Sequence, residues 1–271
     1  MIPTLFVRST SKAICWICGS LFKPSREHKF KASDLRRHFG KGKLHVATFE
    51  DDPSNFRVAQ GLGSSHLKFE SQICEKCNSA VMQESDRAYD QFIGQLERDD
   101  ESARQLLEAF SAPVLPSGTK YHSVLPIFRY FAKILGCQMA DAGAPIPKNL
   151  SQFVAKRTDK NCIWLGIRRD PTYDELSSLL GGENARYAAH GGLVVITKMP
   201  KLFPSRMYST MTVGGIQFTF FLVLNSFHIW EMRIRFPEFV ERCRVAALRE
   251  INGAESSAAL KRLGLERRKE K

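Results

Sequence analysis

The sequence lacks an apolar run long enough to cross a membrane. Its most apolar segment, residues 214–230, is shorter than the roughly 20 residues that a spanning helix needs, and polar residues interrupt it. The N-terminal residues also lack a secretory pattern, because their apolar stretch is short and no small-residue cleavage site follows. These absences predict a soluble, cytoplasmic protein.

Acidic residues are few relative to basic ones. Asp and Glu total 28 against 40 Lys and Arg, which gives a formal net charge of +12 over 271 residues. This excess favours a polyanionic partner such as nucleic acid. Charge alone leaves open an anionic membrane, or a basic surface that only maintains solubility.

The chain has no internal repeat, and one uncharged segment divides it. Residues 111–118 contain two prolines and a glycine, which is typical of a linker. The pattern predicts helices from near Ser79, at 101–110, at 122–140 and from 237, and strands at 162–169, 192–199, 206–213 and 216–224. We therefore expect an α+β fold, with one domain at 1–110 and a mixed α/β domain of unknown role at 111–271.

Four of the seven cysteines form two matched Cys-x2-Cys pairs, which are Cys15 with Cys18 and Cys74 with Cys77. Each pair places two thiolates on one tight turn, and Gly19 supplies a permissive backbone after the first pair. Two such turns complete an all-thiolate tetrahedral site, which suits a structural Zn2+ with no open coordination position. The other three cysteines are expected to be buried small apolar residues.

Two adjacent residues between these cysteine pairs are candidates for chemistry. Glu27 and His28 follow the first pair, and Asn78 follows Cys77 at the expected start of a helix. Carboxylate and amide oxygens suit a hard cation such as Mg2+, and an imidazole suits a general base. Neighbouring residues on a strand point to opposite faces of the sheet, so Glu27 and His28 can reach one site only where the backbone is irregular. Two plainer interpretations stay open: a surface Glu-His dipeptide and a helix-capping Asn78.

The order Cys-x2-Cys, Glu-His, Cys-x2-Cys-Asn resembles the HNH endonucleases, the ββα-metal nucleases, in their zinc-stabilised form. The resemblance covers about residues 10–95 and implies that His28 is the general base and that Glu27 and Asn78 hold one catalytic Mg2+ or Mn2+. Two departures affect the loop geometry. Phe69 stands where many members have an Asn that braces the loop, and the Pro common after the His is missing.

The resemblance implies a metal-dependent endonuclease that hydrolyses phosphodiester bonds, with double-stranded DNA as the expected partner and no membrane partner. Basic residues after His28 are expected to grip phosphates, although a solvated basic loop explains them equally well. They are Lys29, Lys31, Arg36 and Arg37. Asp86 and Asp90 are expected to lie outside the site, since Asp86 is roughly 12 Å along a helix from Asn78.

Two other functions compete with the nuclease. A noncatalytic, zinc-stabilised nucleic-acid-binding module needs the cysteines and the basic residues, but it has no use for Glu27, His28 and Asn78 together. Alternatively, residues 111–271 carry the main role by binding a protein partner or a regulatory ligand. A two-part nuclease of this kind also suits bacterial or phage defence, which is an expectation from family analogy alone.

Overall fold

The structure is a computed structural model that describes residues 4–7, 14–21, 24–41, 43–46, 57–97, 121–170, 172–173, 175 and 187–262. Its first part contains β1 (Pro24–His28), α1 (Ala32–Phe39), β2 (Leu44–Val46), β3 (Arg57–Ala59), a 3-10 turn (Ser65–Leu67), β4 (Lys68–Cys74), a π-helical turn (Cys77–Val81) and α2 (Gln83–Leu96). Its second part contains α3 (Tyr121–Asp141), α4 (Lys148–Val154), β5 (Ile163–Arg169), β6 (Ala189–His190), β7 (Val194–Lys198), β8 (Phe203–Val213), β9 (Ile216–Val223), α5 (Ser226–Arg235) and α6 (Pro237–Arg262).

An antiparallel strand pair and the helix after it organise the first part. β1 pairs with β4, and the chain passes from β4 through the π-helical turn into α2. The pairing is irregular at its centre, where β1 advances two residues from Arg26 to His28 while β4 advances four, from Gln72 to Lys68. Glu27 therefore lies at the irregularity, as a shared role for Glu27 and His28 requires.

A five-stranded sheet organises the second part. β9 lies between β5 and β8, and β8 pairs on its other edge with both β6 and β7, always antiparallel. Alternation along the strands buries one face of the sheet. The fold is α+β as predicted, and the four predicted strands are confirmed within a few residues at each end.

Helix α3 joins the two parts through one hydrophobic core. Tyr130 stacks on Tyr89 of α2 with ring centroids 4.0 Å apart, and Phe131 lies 5.0 Å from Phe218 of the sheet. The buried character expected for residues 122–140 is confirmed at 125–139, where every residue is buried. The predicted helix at 101–110 and the linker at 111–118 lie outside the described residues, so the division at 110/111 stays a prediction.

Two local details differ from the sequence-based expectation. Ser79 does not cap a helix, because the turn begins earlier and the Ser79 hydroxyl donates to the carbonyl oxygen of Glu75 at 2.7 Å. The basic stretch contains helix α1, which buries Leu35. Among the described helices, none combines the length and apolarity that crossing a membrane requires.

Candidate functional site

The four paired cysteines converge on one point. The Sγ atoms of Cys15, Cys18, Cys74 and Cys77 all lie within 4.8 Å of one another. The Sγ atoms of Cys18 and Cys74 are 3.7 Å apart. Zn–S bonds of 2.3 Å in a tetrahedron place the sulfurs about 3.8 Å apart, so this donor set fits a zinc ion.

Backbone hydrogen bonds shape both cysteine turns. The amide of Gly19 donates to the carbonyl oxygen of Cys15 at 2.7 Å, and Gly19 has a φ of +77°, the left-handed conformation that glycine adopts most readily. In the second turn the amide of Cys77 donates to the Sγ of Cys74 at 3.3 Å. In each turn, a hydrogen bond from a backbone amide therefore helps to fix the position of the two cysteines.

The proton of the Cys77 thiol makes a hydrogen bond to Cys15 within the cluster. Hydrogen bonding from Cys77 lowers the pKa of Cys15 to about 5, and the same bond raises the pKa of Cys77. Since a metal takes the thiolate form, Zn2+ would displace this proton on binding. The cluster thus has the ligand type, number and spacing of a structural zinc site.

Asn78 is fixed against strand β1. Its Nδ2 donates to the Oγ of Ser25 at 2.8 Å, and Ser25 lies two residues before Glu27. That distance along a strand is about 7 Å. The bond uses the amide nitrogen and leaves the amide oxygen, the atom that binds cations. The structure therefore brings Asn78 to the same strand as Glu27 and His28.

Glu27 forms an ion pair that sequence reasoning missed. Its Oε1 lies 3.0 Å from the Nζ of Lys133, which is almost completely buried in α3. The same Nζ lies 3.2 Å from the Oδ1 of Asp86. Burial raises the pKa of Glu27, and the positive charge of Lys133 opposes that shift. For Lys133 burial alone would lower the pKa, but the charges of Glu27 and Asp86 raise it overall. A protonated lysine therefore bridges the two carboxylates.

His28 is held as a neutral imidazole. Burial lowers its pKa below the usual 6.5, and the charge of Lys68 lowers it further. Its Nε2 lies 3.1 Å from the carbonyl oxygen of Leu62. A carbonyl only accepts hydrogen bonds, so Nε2 carries the proton and Nδ1 is the basic nitrogen. The local structure thus supplies the tautomer and the protonation state that a general base needs at neutral pH.

A contact across the strands lies where the resemblance to HNH endonucleases would place a bracing Asn. Phe69 is buried, and its ring packs against His190 with centroids 5.4 Å apart. Its carbonyl oxygen accepts a hydrogen bond of 2.7 Å from the Nε of Arg26. This bond joins β1 to β4 beside Glu27, so Phe69 of β4 helps to hold the irregular part of the strand pair in place.

The basic residues proposed to grip phosphates divide into two groups. Lys31 pairs with Asp90 at 2.6 Å and also donates to the carbonyl oxygen of Asp86. Arg37 pairs with Glu97 at 2.5 Å. Arg36 is exposed and Lys29 is half-buried. Two of the four cations are therefore partly neutralised within the protein, which weakens their expected role as phosphate contacts.

Asp86 and Asp90 both belong to the polar surroundings of Glu27. Asp86 contacts Lys133, and Asp90 contacts Lys31 and the Oγ of Ser33. Lys31 and Asp86 also line a cleft, together with Ser79, Ala80, Gln83 and Arg87. The helical distance kept Asp86 out of the predicted site. Asp86 is linked to Glu27 by the ammonium group of Lys133, which contacts both carboxylates.

One sequence signal could have pointed to Lys133. Within the apolar helix at 121–141, Arg129 and Lys133 are one turn apart and are both buried. Buried cations are almost always paired, so they predict acidic partners elsewhere in the fold. Arg129 forms an ion pair with Asp159 at 2.5 Å, and Lys133 forms ion pairs with Glu27 and Asp86. The sequence does not reveal which acids these would be.

Comparisons with protein-family models, with curated proteins and with solved structures found no match.

Proposed function

We propose that this chain is a metal-dependent endonuclease of the HNH type, which hydrolyses phosphodiester bonds in double-stranded DNA. The observation that carries the proposal is the state of His28, a neutral imidazole with its proton on Nε2 and a basic Nδ1. The β1–β4 pair, the helix that follows and the four-cysteine cluster have the order of the ββα-metal nucleases. Structural Zn2+ would hold the two strand ends together through the cysteine cluster.

In this reaction Nδ1 of His28 removes a proton from the water that attacks phosphorus, while Nε2 keeps its bond to Leu62. Under this proposal the second oxygen of Glu27 and the amide oxygen of Asn78 would hold a hard cation. A bound Mg2+ or Mn2+ would stabilise the charge on the phosphoryl oxygens and on the leaving 3′ oxygen. Burial raises the pKa of Glu27, and the charge of Lys133 opposes that shift and so favours the ionised form that could act as a ligand.

The experiment is plasmid cleavage with added Mg2+ or Mn2+, using His28→Ala and His66→Ala as a matched pair. His66 is exposed on the same region of the chain and forms no part of the site. Loss of a general base typically slows a reaction by about 10²–10⁴. We expect a loss of this size in His28→Ala alone, with zinc content and melting temperature unchanged.

The pH dependence gives an independent readout. A general base must be unprotonated, so the cleavage rate should fall on acidification, with its midpoint below 6.5 because the pKa of His28 is lowered. Glu27→Ala and Asn78→Ala should instead raise the metal concentration needed for half-maximal rate. Equal cleavage by wild type and His28→Ala would remove the basis of the proposal.

The alternative is a noncatalytic zinc-stabilised module that binds nucleic acid. The observation that favours it is the engagement of Glu27 by Lys133, since a carboxylate with a permanent counter-charge binds a divalent cation less strongly. A wild-type protein that binds duplex but leaves it intact with either metal would establish this alternative. A place in bacterial or phage defence stays a prediction under both functions.

A further inference from the structure

The outer face of the five-stranded sheet carries a row of aromatic side chains. Trp164 of β5 is the register partner of Phe221 of β9, and Phe221 is the partner of Tyr208 of β8. The row continues to Val194 of β7. Trp164 is 38% exposed, whereas its neighbours Ile163 and Leu165 are buried on the opposite face. We call Trp164, Phe221 and Tyr208 the aromatic row.

Two of the three rings of the row lie parallel to each other. The rings of Trp164 and Phe221 are parallel within 6°, with centroids 6.0 Å apart. The three residues stand on adjacent strands, which are about 4.8 Å apart. The row therefore runs across the sheet, with Trp164 its exposed member and Phe221 and Tyr208 half-buried.

Basic side chains lie on both sides of this row. On the same face, Arg168 lies four residues beyond Trp164, and Arg206 lies two residues before Tyr208. Arg168, Arg206 and Lys198 are exposed. None of them forms an ion pair with a described residue, and Arg168 donates from Nε to the Oε1 of Gln217 at 2.6 Å. The five described strands of this sheet contain no Asp or Glu. The face is therefore positively charged as well as aromatic.

We propose that this sheet face binds single-stranded nucleic acid, with bases stacked on the aromatic row and phosphates held by Arg168 and Arg206. Stacking rings beside a basic surface are the combination that single-strand-binding proteins use. A duplex hides the faces of its bases inside its own stack, so it offers the row little to contact. The charge argues against a purely apolar protein partner, which would gain nothing from the arginines.

The proposal does not rest on phosphodiester cleavage, because binding can be measured without added divalent metal. The probe is a fluorescein-labelled thymidine oligomer of about 12 nucleotides, a length within the range that such surfaces cover. Its anisotropy reports binding, and a duplex of equal length is the competitor. We expect the single strand to bind more tightly than the duplex. A matched uridine oligomer shows whether the surface prefers DNA or RNA.

The matched variants are Trp164→Ala, Trp164→Phe and Trp230→Ala. Trp230 lies on α5 and is 50% exposed, so it controls for loss of an exposed tryptophan away from the sheet. Loss of one stacking ring typically weakens binding about 5- to 150-fold. We expect this loss in Trp164→Ala, with near-complete recovery in Trp164→Phe and no change in Trp230→Ala. Arg206→Ala should reduce the salt dependence of binding, because one phosphate contact is lost.

Two results would overturn the proposal. One is wild-type affinity in Trp164→Ala. The other is a change of oligomeric state in Trp164→Ala by light scattering, which would make the sheet face a contact between copies of this chain. Failure of cleavage in the plasmid assay leaves this measurement untouched, so the two proposals can fail separately.

Discussion

Replacing Lys133 with methionine tests how the candidate site is held together. Methionine keeps a similar length and apolar volume, so the change mainly removes the charge. It would leave Glu27 buried without its counter-charge, because Glu27 is only 13% exposed. The Asp86 carboxylate is 26% exposed and can turn towards water. The main effect should therefore come from Glu27.

The expected loss of stability depends on how deeply the ion pair is buried and not on its N–O distance. Removing one member of a buried ion pair typically costs about 3–5 kcal/mol, because the other charge is left uncompensated. Lys156 and Glu84 form a shorter pair at 2.6 Å, but they are 31% and 63% exposed. An exposed pair contributes at most about 1 kcal/mol. Lys133→Met should therefore destabilise the fold several times more than Lys156→Met.

The loss of stability caused by Lys133→Met should depend on pH, and the direction follows from the pKa of Glu27. Burial already raises the pKa of Glu27 from 4.5, and loss of Lys133 raises it further. A carboxyl group whose folded pKa exceeds its unfolded value destabilises the fold as pH rises through the folded pKa. The destabilisation by Lys133→Met should therefore be small near pH 4.5 and should increase as the pH rises above it.

The assay is urea denaturation of the zinc-saturated protein at several pH values. A double variant, Lys133→Met with Glu27→Gln, should recover more than half of the lost free energy of unfolding, because no buried charge remains. The reasoning fails if Lys133→Met and Lys156→Met have equal effects, or if the Glu27→Gln change brings no recovery.

Two further predictions concern the cysteine cluster and the packing beside it. Cys74→Ser should lose about one zinc per chain by elemental analysis and lose stability, whereas Cys243→Ser, outside the cluster, should keep its zinc. Gly136→Ala should destabilise the fold by about 1–3 kcal/mol, because the new Cβ would lie 2.2 Å from the buried ring of Trp16. Gly94→Ala meets nothing within 4 Å and should be neutral or slightly stabilising in the same denaturation assay.

Features with a fixed local spacing could be predicted from the sequence. The two cysteine pairs converge as their spacing indicates, because each pair is shaped by hydrogen bonds within its own turn. The strands from 163 onwards were also predictable, since alternation of buried and exposed residues is a local pattern. Helix α3 was recognisable from its length and apolar composition.

Features that depend on contacts between distant segments could not be predicted. Glu27 meets Lys133 only because α3 packs against α2 and β4, and no spacing in the sequence encodes that approach. Helix α1 has only eight residues and is largely polar, so its short amphipathic pattern was not recognised as a helix. Its position depends on the bonds from Lys31 and Ser33 to Asp90.

The position of Lys133 limits how residues 1–110 could be joined to other protein sequences. The acidic residue of the candidate site comes from one half of the sequence, and the buried cation that pairs with it comes from the other. Ser151 also donates to the carbonyl oxygen of Ile17, inside the first cysteine turn. A gene fusion that joined residues 1–110 to an unrelated partner would bring in Glu27 without its lysine. Recombination at that point should therefore yield proteins in which Glu27 is left without a counter-charge, unless the new partner supplies a buried cation of its own.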